Sequence, residues 1–108
     1  LRRRKLHKRV AAAIETINPG DYESLAYHFG EAGDDSQAIK YYRLAGERAA
    51  EAFANQDAEN YFQSALDLVE DAQDQAALLA QLGLAQAFQS KNLEALETWQ
   101  EAISKFNS

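Results

Sequence analysis

The sequence predicts an all-α fold of about six antiparallel helices, and three observations lead to it. Residues that favour helices, namely Ala, Leu, Glu, Gln, Lys and Arg, fill most of the 108 positions, whereas valine occurs only twice. Apolar residues recur three and four positions apart in six segments. The stretches between these segments are short, and short connections place consecutive helices antiparallel.

Each helix is predicted from the spacing of its apolar residues. In chain order the stripes are Leu6, Val10, Ala13, Ile14 and Ile17; Tyr22, Leu25, Ala26 and Phe29; Ala38, Ile39, Tyr42, Ala45, Ala49 and Phe53; Ala58, Phe62, Ala65, Leu66 and Val69; Leu78, Leu79, Leu82, Ala85 and Phe88; and Leu96, Trp99, Ala102, Ile103 and Phe106. The predicted helices cover about residues 2–17, 22–32, 35–54, 57–70, 75–89 and 93–106.

Turn and capping residues set the predicted boundaries. Pro19 ends the first helix, because the residue before a proline avoids the helical conformation. Gly33 is suited to end the second helix in a left-handed conformation. Asp34 and Gln37 have the spacing of a capping box and open the third helix. Asn55 is predicted to cap the fourth helix, and two polar stretches, 71–75 and 90–92, precede the last two.

A repeated spacing of small and aromatic residues links three helix pairs. A small residue lies twelve positions before an alanine, an aromatic follows that alanine by four, and a second alanine follows it by seven. The three sets are Ala26, Ala38, Tyr42 and Ala45; Gly46, Ala58, Phe62 and Ala65; and Gly83, Ala95, Trp99 and Ala102. Small residues allow two antiparallel helices to approach closely, and the aromatic then fills the space toward the next unit.

This spacing resembles that of the tetratricopeptide repeat, over most of residues 19–106. The resemblance implies a right-handed α-α superhelix of about three helix pairs, with residues 1–18 forming a basic helix outside the repeats. The alanines Ala38, Ala58 and Ala95 lie 20 and 37 residues apart, whereas about 34 is usual in the family. We therefore expect the third helix to belong to two pairs. Gln86 and Ser90 also depart from the family pattern, since an aromatic and a glycine are usual there.

Three short segments carry a second, narrower resemblance. Residues 6–11, 25–34 and 45–49 are similar to the helical repeats that follow the ATPase module of large bacterial signalling ATPases, nucleotide cyclases and LuxR-type regulators. The resemblance implies that this chain is part of a larger regulatory protein and that adjacent domains of the same protein contact it.

Composition and charge argue against several classes. The first nine residues carry +6 and the remainder −12, so most of the chain repels nucleic acid, and only the basic first helix favours contact with it. No apolar run is long enough to span a membrane. The absence of cysteine excludes disulfides and thiolate metal sites and favours a cytoplasmic location.

No catalytic motif is apparent, and we expect neither enzymatic activity nor a cofactor. The sequence lacks a phosphate-binding loop, so ATP should not bind. The two histidines, His7 and His28, are predicted to lie at the surface, although Ser24 shares a helix face with His28. The acidic residues near 67–74 have no loop that would gather them around a metal ion and are expected to be solvated.

The predicted function is binding of a protein or peptide, with a spacer that docks on a neighbouring ATPase domain as the alternative. In the repeat family the first helix of each pair lines the ligand groove. The positions that match here are Tyr27, Glu31, Arg43, Glu47, Leu84 and Phe88. Tyr27, Tyr41 and Tyr61 lie off the packing positions and are further candidates for surface contact, with packing between helices as the alternative. The apolar stripe of the last helix predicts weak self-association.

Overall fold

The structure, a computed structural model, describes all 108 residues and contains six α-helices and no strand. The helices are α1 (Arg2–Ile17), α2 (Tyr22–Glu31), α3 (Asp35–Glu51), α4 (Asn55–Leu66), α5 (Ala72–Ala87) and α6 (Asn92–Phe106). Each helix packs mainly on its neighbours in sequence, and the molecule measures 43 × 31 × 17 Å. No helix combines the length and the apolar character that crossing a membrane requires.

The repeated small residues lie where the helices cross. All the small residues that define the repeat are buried, from Ala26 to Ala102. The rings of Phe62 and Trp99 pack directly on Gly46 and Gly83, so closely that a methyl group would lie 2.5 Å from Phe62 and 2.2 Å from Trp99. The expectation that these glycines occupy close helix crossings is therefore confirmed.

The turns after α2, α3 and α5 share one conformation. Gly33, Phe53 and Ser90 have positive φ angles of 82°, 59° and 63°. The residue after each donates its N–H to a carbonyl five positions back: Asp34 to Phe29, Ala54 to Ala49 and Lys91 to Gln86. This is the bond that closes a Schellman motif. The three turns also precede their repeat alanines by the same five residues, which shows that the repeat extends to the connections.

The buried residues form two clusters that meet at α3. The first contains Leu25, Phe29 and Tyr41 among its members and lies between α1, α2 and α3. The second lies between α4, α5 and α6 and includes Phe62, Leu78 and Leu82, with side chains of α3 packed against it. The expectation that α3 serves two helix pairs agrees with this packing, because its two sides contact different clusters.

Two sequence predictions at the end of α3 were wrong. Phe53 does not extend the apolar stripe of α3: the helix ends at Glu51, and Phe53 is 85% exposed. The physical reason is the shared turn, which needs a left-handed residue at this position to reverse the chain. Asn55 does not cap α4 but is its first residue, and the capping position is held by Ala54, whose methyl group accepts no hydrogen bond.

The structure decides between surface and core for three aromatic residues. Tyr41, a candidate for surface contact, is buried against Phe29, because its hydroxyl finds a partner inside the fold. It donates a 2.6 Å hydrogen bond to Glu15 of α1. That bond, together with burial, raises the pKa of Tyr41 to about 12. Tyr61 is half-buried, whereas Trp99, expected in the core, is 36% exposed because no element of this chain covers its outer side.

Candidate functional site

An apolar groove between α3 and α5 is the best-formed candidate site on the molecule. Phe62 of α4 forms its floor, with Ala50 and Ala85 beside it, and its volume is about 460 Å³. The walls carry two large, exposed apolar side chains, Leu84 and Phe88 of α5. Exposed apolar side chains that converge over an apolar floor are typical of a surface that binds another molecule.

The groove owes its floor to Gly46. Because this position of α3 lacks a side chain, the ring of Phe62 can pack against the helix backbone, where it is 2% exposed. Apolar residues of α5 close the opposite side of the same ring. The groove is therefore built on the repeat packing, since the floor is fixed by a close helix contact.

The charged groups of the groove are acidic. Glu47 and Glu51 of α3 line it, and no basic residue does. Arg43 lies just outside, with its Nε 3.7 Å from a carboxylate oxygen of Glu47 at the helix surface. Exposed pairs of this kind are weak, so most of the attraction of these two carboxylates for a cation remains available.

Gln81 places an unused hydrogen-bond acceptor at the same site. Its Nε2 donates a 2.8 Å hydrogen bond to Glu47 and so links α5 to α3. Its Oε1 is buried, and no donor of the protein reaches it. Rotating the amide would set the oxygen against the Glu47 carboxylate, so the orientation is fixed. A buried acceptor without a donor costs about 1–3 kcal/mol, and because this oxygen is closed off from the surface, a ligand in the groove does not reach it.

The structure brings some of the predicted site residues together and separates others. Glu47, Leu84 and Phe88 line the groove, and Arg43 lies at its edge through its contact with Glu47. Glu31 ends α2, exposed and outside the groove lining, and Tyr27 is exposed on the same helix. The structure therefore contains no continuous groove that joins the predicted residues of α2 to those of α3 and α5.

Tyr27 instead belongs to a small aromatic cluster between α1 and α2. The Nδ1 atoms of His7 and His28 lie 2.8 Å apart, so one ring donates and the other accepts. Tyr27 packs edge-on against both rings. Both histidines are half-buried, so part of each ring remains at the surface as expected, and the Ser24 hydroxyl makes no hydrogen bond with His28.

Sequence reasoning missed five of the eight residues that line the groove: Ala50, Glu51, Phe62, Gln81 and Ala85. Phe62 belongs to the repeat packing, and nothing in the sequence shows that its buried ring also forms the floor of a groove. Gln81 and Glu51 lie among many other polar helix residues.

No group of three or more His, Asp or Glu side chains is arranged to hold a metal ion. Comparison with known proteins gives no match, because no family model, no curated protein and no solved structure is similar to the chain at a significant level.

Proposed function

We propose that this chain is a non-catalytic helical-repeat scaffold that binds a segment of another protein in the groove between α3 and α5. The observation that carries the proposal is the exposure of Leu84 and Phe88 over the buried ring of Phe62. Large apolar side chains cost free energy when they are left in water, and a ligand that covers them removes that cost.

The chemistry of the groove specifies the ligand. An aliphatic or aromatic side chain fits over Phe62, between the two helices. A lysine or arginine next to it pairs with Glu47 or Glu51. We therefore expect a short segment in which a large apolar residue adjoins a basic one.

The repeat geometry supports a broader part of the proposal. The three equal turns and the two glycine–aromatic contacts fit a tetratricopeptide-like unit. On this basis we infer a right-handed superhelix within a larger cytoplasmic signalling protein, in which the repeats recruit a partner.

A second candidate is a spacer that docks on an adjacent domain, and one observation favours it. The outer side of α1 exposes Leu6, Ala13 and Ile17, with Arg2 and Arg9 beside Leu6. A neighbouring domain with an acidic rim around an apolar patch would fit this helix. The same basic residues would support nucleic-acid contact, which would weaken steeply as salt increases.

Selection of peptides on the immobilised chain tests the groove. Short random peptides are displayed, the recovered sequences are compared, and the affinity of a recovered peptide is measured by fluorescence anisotropy. We expect the sequences to converge on an apolar residue next to Lys or Arg. Leu84→Ser should weaken binding roughly tenfold or more, and Glu47→Gln should weaken it in a salt-dependent manner.

Phe53→Ser is the matched control, because it removes an even more exposed apolar side chain that does not line the groove. Its affinity should equal that of the unaltered chain. The proposal is wrong if no sequence converges, or if the recovered peptides bind Leu84→Ser and Phe88→Ser as tightly as the unaltered chain.

A further inference from the structure

The only two histidines of the chain meet between α1 and α2. The Nδ1 atoms of His7 and His28 lie 2.8 Å apart, and the sequence contains no other histidine and no cysteine. Both rings are half-buried, so part of each ring remains open to solvent. The pair therefore presents two imidazole nitrogens, from different helices, at one accessible point of the surface.

The packing around the pair holds the two rings in place. The ring of Tyr27 packs edge-on against both imidazoles, with its centroid 5.8 Å from that of His7 and 5.0 Å from that of His28. Beneath them, α1 and α2 share the first core cluster, in which Ala11 and Leu25 are fully buried. Two donors that the fold already holds together bind an ion at a lower cost in entropy than two free side chains.

The distance between the two nitrogens selects the kind of ion. Histidine is the commonest metal ligand in proteins, and it binds through a neutral imidazole nitrogen. With metal–nitrogen bonds of about 2.0 Å, two ligands at a right angle lie about 2.8 Å apart, whereas two ligands of a tetrahedral ion lie about 3.3 Å apart. The observed 2.8 Å fits neighbouring ligands of a tetragonal ion. That geometry is typical of Cu(II) with nitrogen and oxygen ligands.

We propose that His7 and His28 bind one Cu(II) ion through their Nδ1 atoms and that the ion joins α1 to α2. In the hydrogen-bonded pair one Nδ1 carries a proton and the other accepts it. On binding, that Nδ1 loses its proton to water and the Nε2 of the same ring takes one up, so the charge of the protein does not change. Both rings tilt until their Nδ1 lone pairs converge on the ion. Because no third His, Asp or Glu side chain is grouped with the pair, water completes the coordination.

The charges around the pair separate coordination from general attraction of cations. Arg4 and Lys8 lie within one turn of His7 on the basic helix, and both are exposed. A cation that is held by charge alone avoids such a surface and collects on the acidic remainder of the chain. Exposed charges are screened at ordinary ionic strength, whereas coordinate bonds are not. An ion at His7 and His28 therefore reports bonding to nitrogen.

Isothermal titration calorimetry with copper(II) sulfate, in a buffer that does not bind copper, tests the site. We expect one ion per chain. His7→Asn and His28→Asn should each weaken binding roughly tenfold or more, because each removes one of the two protein ligands. The electron paramagnetic resonance spectrum of the unaltered chain should show coupling to two imidazole nitrogens. Copper should also raise the thermal midpoint of the unaltered chain and of neither variant, since the site exists only in the folded state.

Two controls make the result specific. Tyr27→Phe keeps the ring that packs on both imidazoles and removes only the phenol, so it should bind copper normally. Acetylation of the Leu1 amine removes the other nitrogen that copper favours, and it should leave the affinity unchanged. The proposal is overturned if no saturable binding occurs at micromolar concentrations, if His28→Asn binds as tightly as the unaltered chain, or if acetylation abolishes binding. A spectrum with fewer than two imidazole nitrogens overturns it without any variant, and circular dichroism checks that the variants remain helical.

Discussion

Three glycines lie inside helices with very different surroundings, and replacing each with alanine tests the packing of the repeat. A methyl group on Gly30 would lie 3.8 Å from Ala38, an ordinary contact. A methyl group on Gly46 would lie 2.5–2.9 Å from three atoms of the Phe62 ring. The substitution is the same, so differences in stability report the surroundings.

Two opposing contributions set the expected magnitudes. Alanine favours a helix interior over glycine by about 1 kcal/mol. Gly30→Ala should gain that amount, because its methyl group meets no close neighbour. In Gly46→Ala the overpacking of Phe62 costs about 1–3 kcal/mol, which leaves a net loss of about 1 kcal/mol. The two variants should therefore differ in the free energy of unfolding by about 2 kcal/mol.

The free energy of unfolding of Gly83→Ala should lie between those of Gly30→Ala and Gly46→Ala. Its methyl group would lie 2.2 Å from Nε1 of Trp99, but this ring is 36% exposed and can move outward. Movement would break the 3.2 Å hydrogen bond from the indole to Ala80. Trp99 is the only tryptophan, so its fluorescence should shift in this variant.

Urea denaturation measures the stability of each variant in the series. A difference of 2 kcal/mol corresponds to a shift in midpoint of about 1 M. Phe62→Leu should cost less stability in Gly46→Ala than in the unaltered chain, because a smaller side chain accommodates the methyl group. Equal midpoints for Gly30→Ala and Gly46→Ala would refute the close contact between Gly46 and Phe62.

Three further changes have expected outcomes. Phe53→Gly with Ala54→Asp should raise the free energy of unfolding in urea by about 1 kcal/mol, because it supplies a left-handed residue and a helix cap; no gain would show that this turn is unstrained. Burial alone would raise the pKa of Glu59, but hydrogen bonds from neighbouring side chains lower it below 4.5. The ionised Glu59 carboxylate therefore stabilises the fold above pH 4.5, and this contribution, about 1 kcal/mol at most, is lost as pH falls through the lowered pKa. Over that acid range Glu59→Gln should lose less stability than the unaltered chain. Tyr41→Phe should cost about 1–2 kcal/mol by removing the hydrogen bond to Glu15, and an unchanged thermal midpoint would argue against that bond.

The fold was largely predictable because it depends on periodic residues. The six helices and the buried small residues follow from spacings of three, four, seven and twelve. The sequence predictions were wrong where the geometry of the repeat overrides the local preference of a residue for helix or turn. Phe53 reads as the end of an apolar stripe, yet the turn that α3 must make places it outside the helix. Only a comparison with Gly33, which occupies the equivalent turn, would have revealed this.

The candidate site was less predictable, because a groove is a relation between helices that are distant in sequence. Glu47 and Phe88 were identified through the family resemblance, and their position beside Phe62 required the structure. Tyr41 shows the same limit in reverse. Its position in the sequence leaves both surface contact and packing between helices open, and the hydrogen bond to Glu15 of α1 is seen only in the structure.

The short interval between the first two repeat alanines has a physical consequence in α3. A helix that belongs to two pairs must bury two sides, and small residues then serve both better than large ones. Ala38 and Ala45 contribute to burial within this helix, while Gly46 gives access to Phe62. Tyr42 is the one large side chain of α3 that packs against both core clusters. The two halves of the molecule are therefore coupled through α3 itself. A ligand bound in the proposed groove, beside Glu47 and Phe62, would contact the helix that joins the two halves.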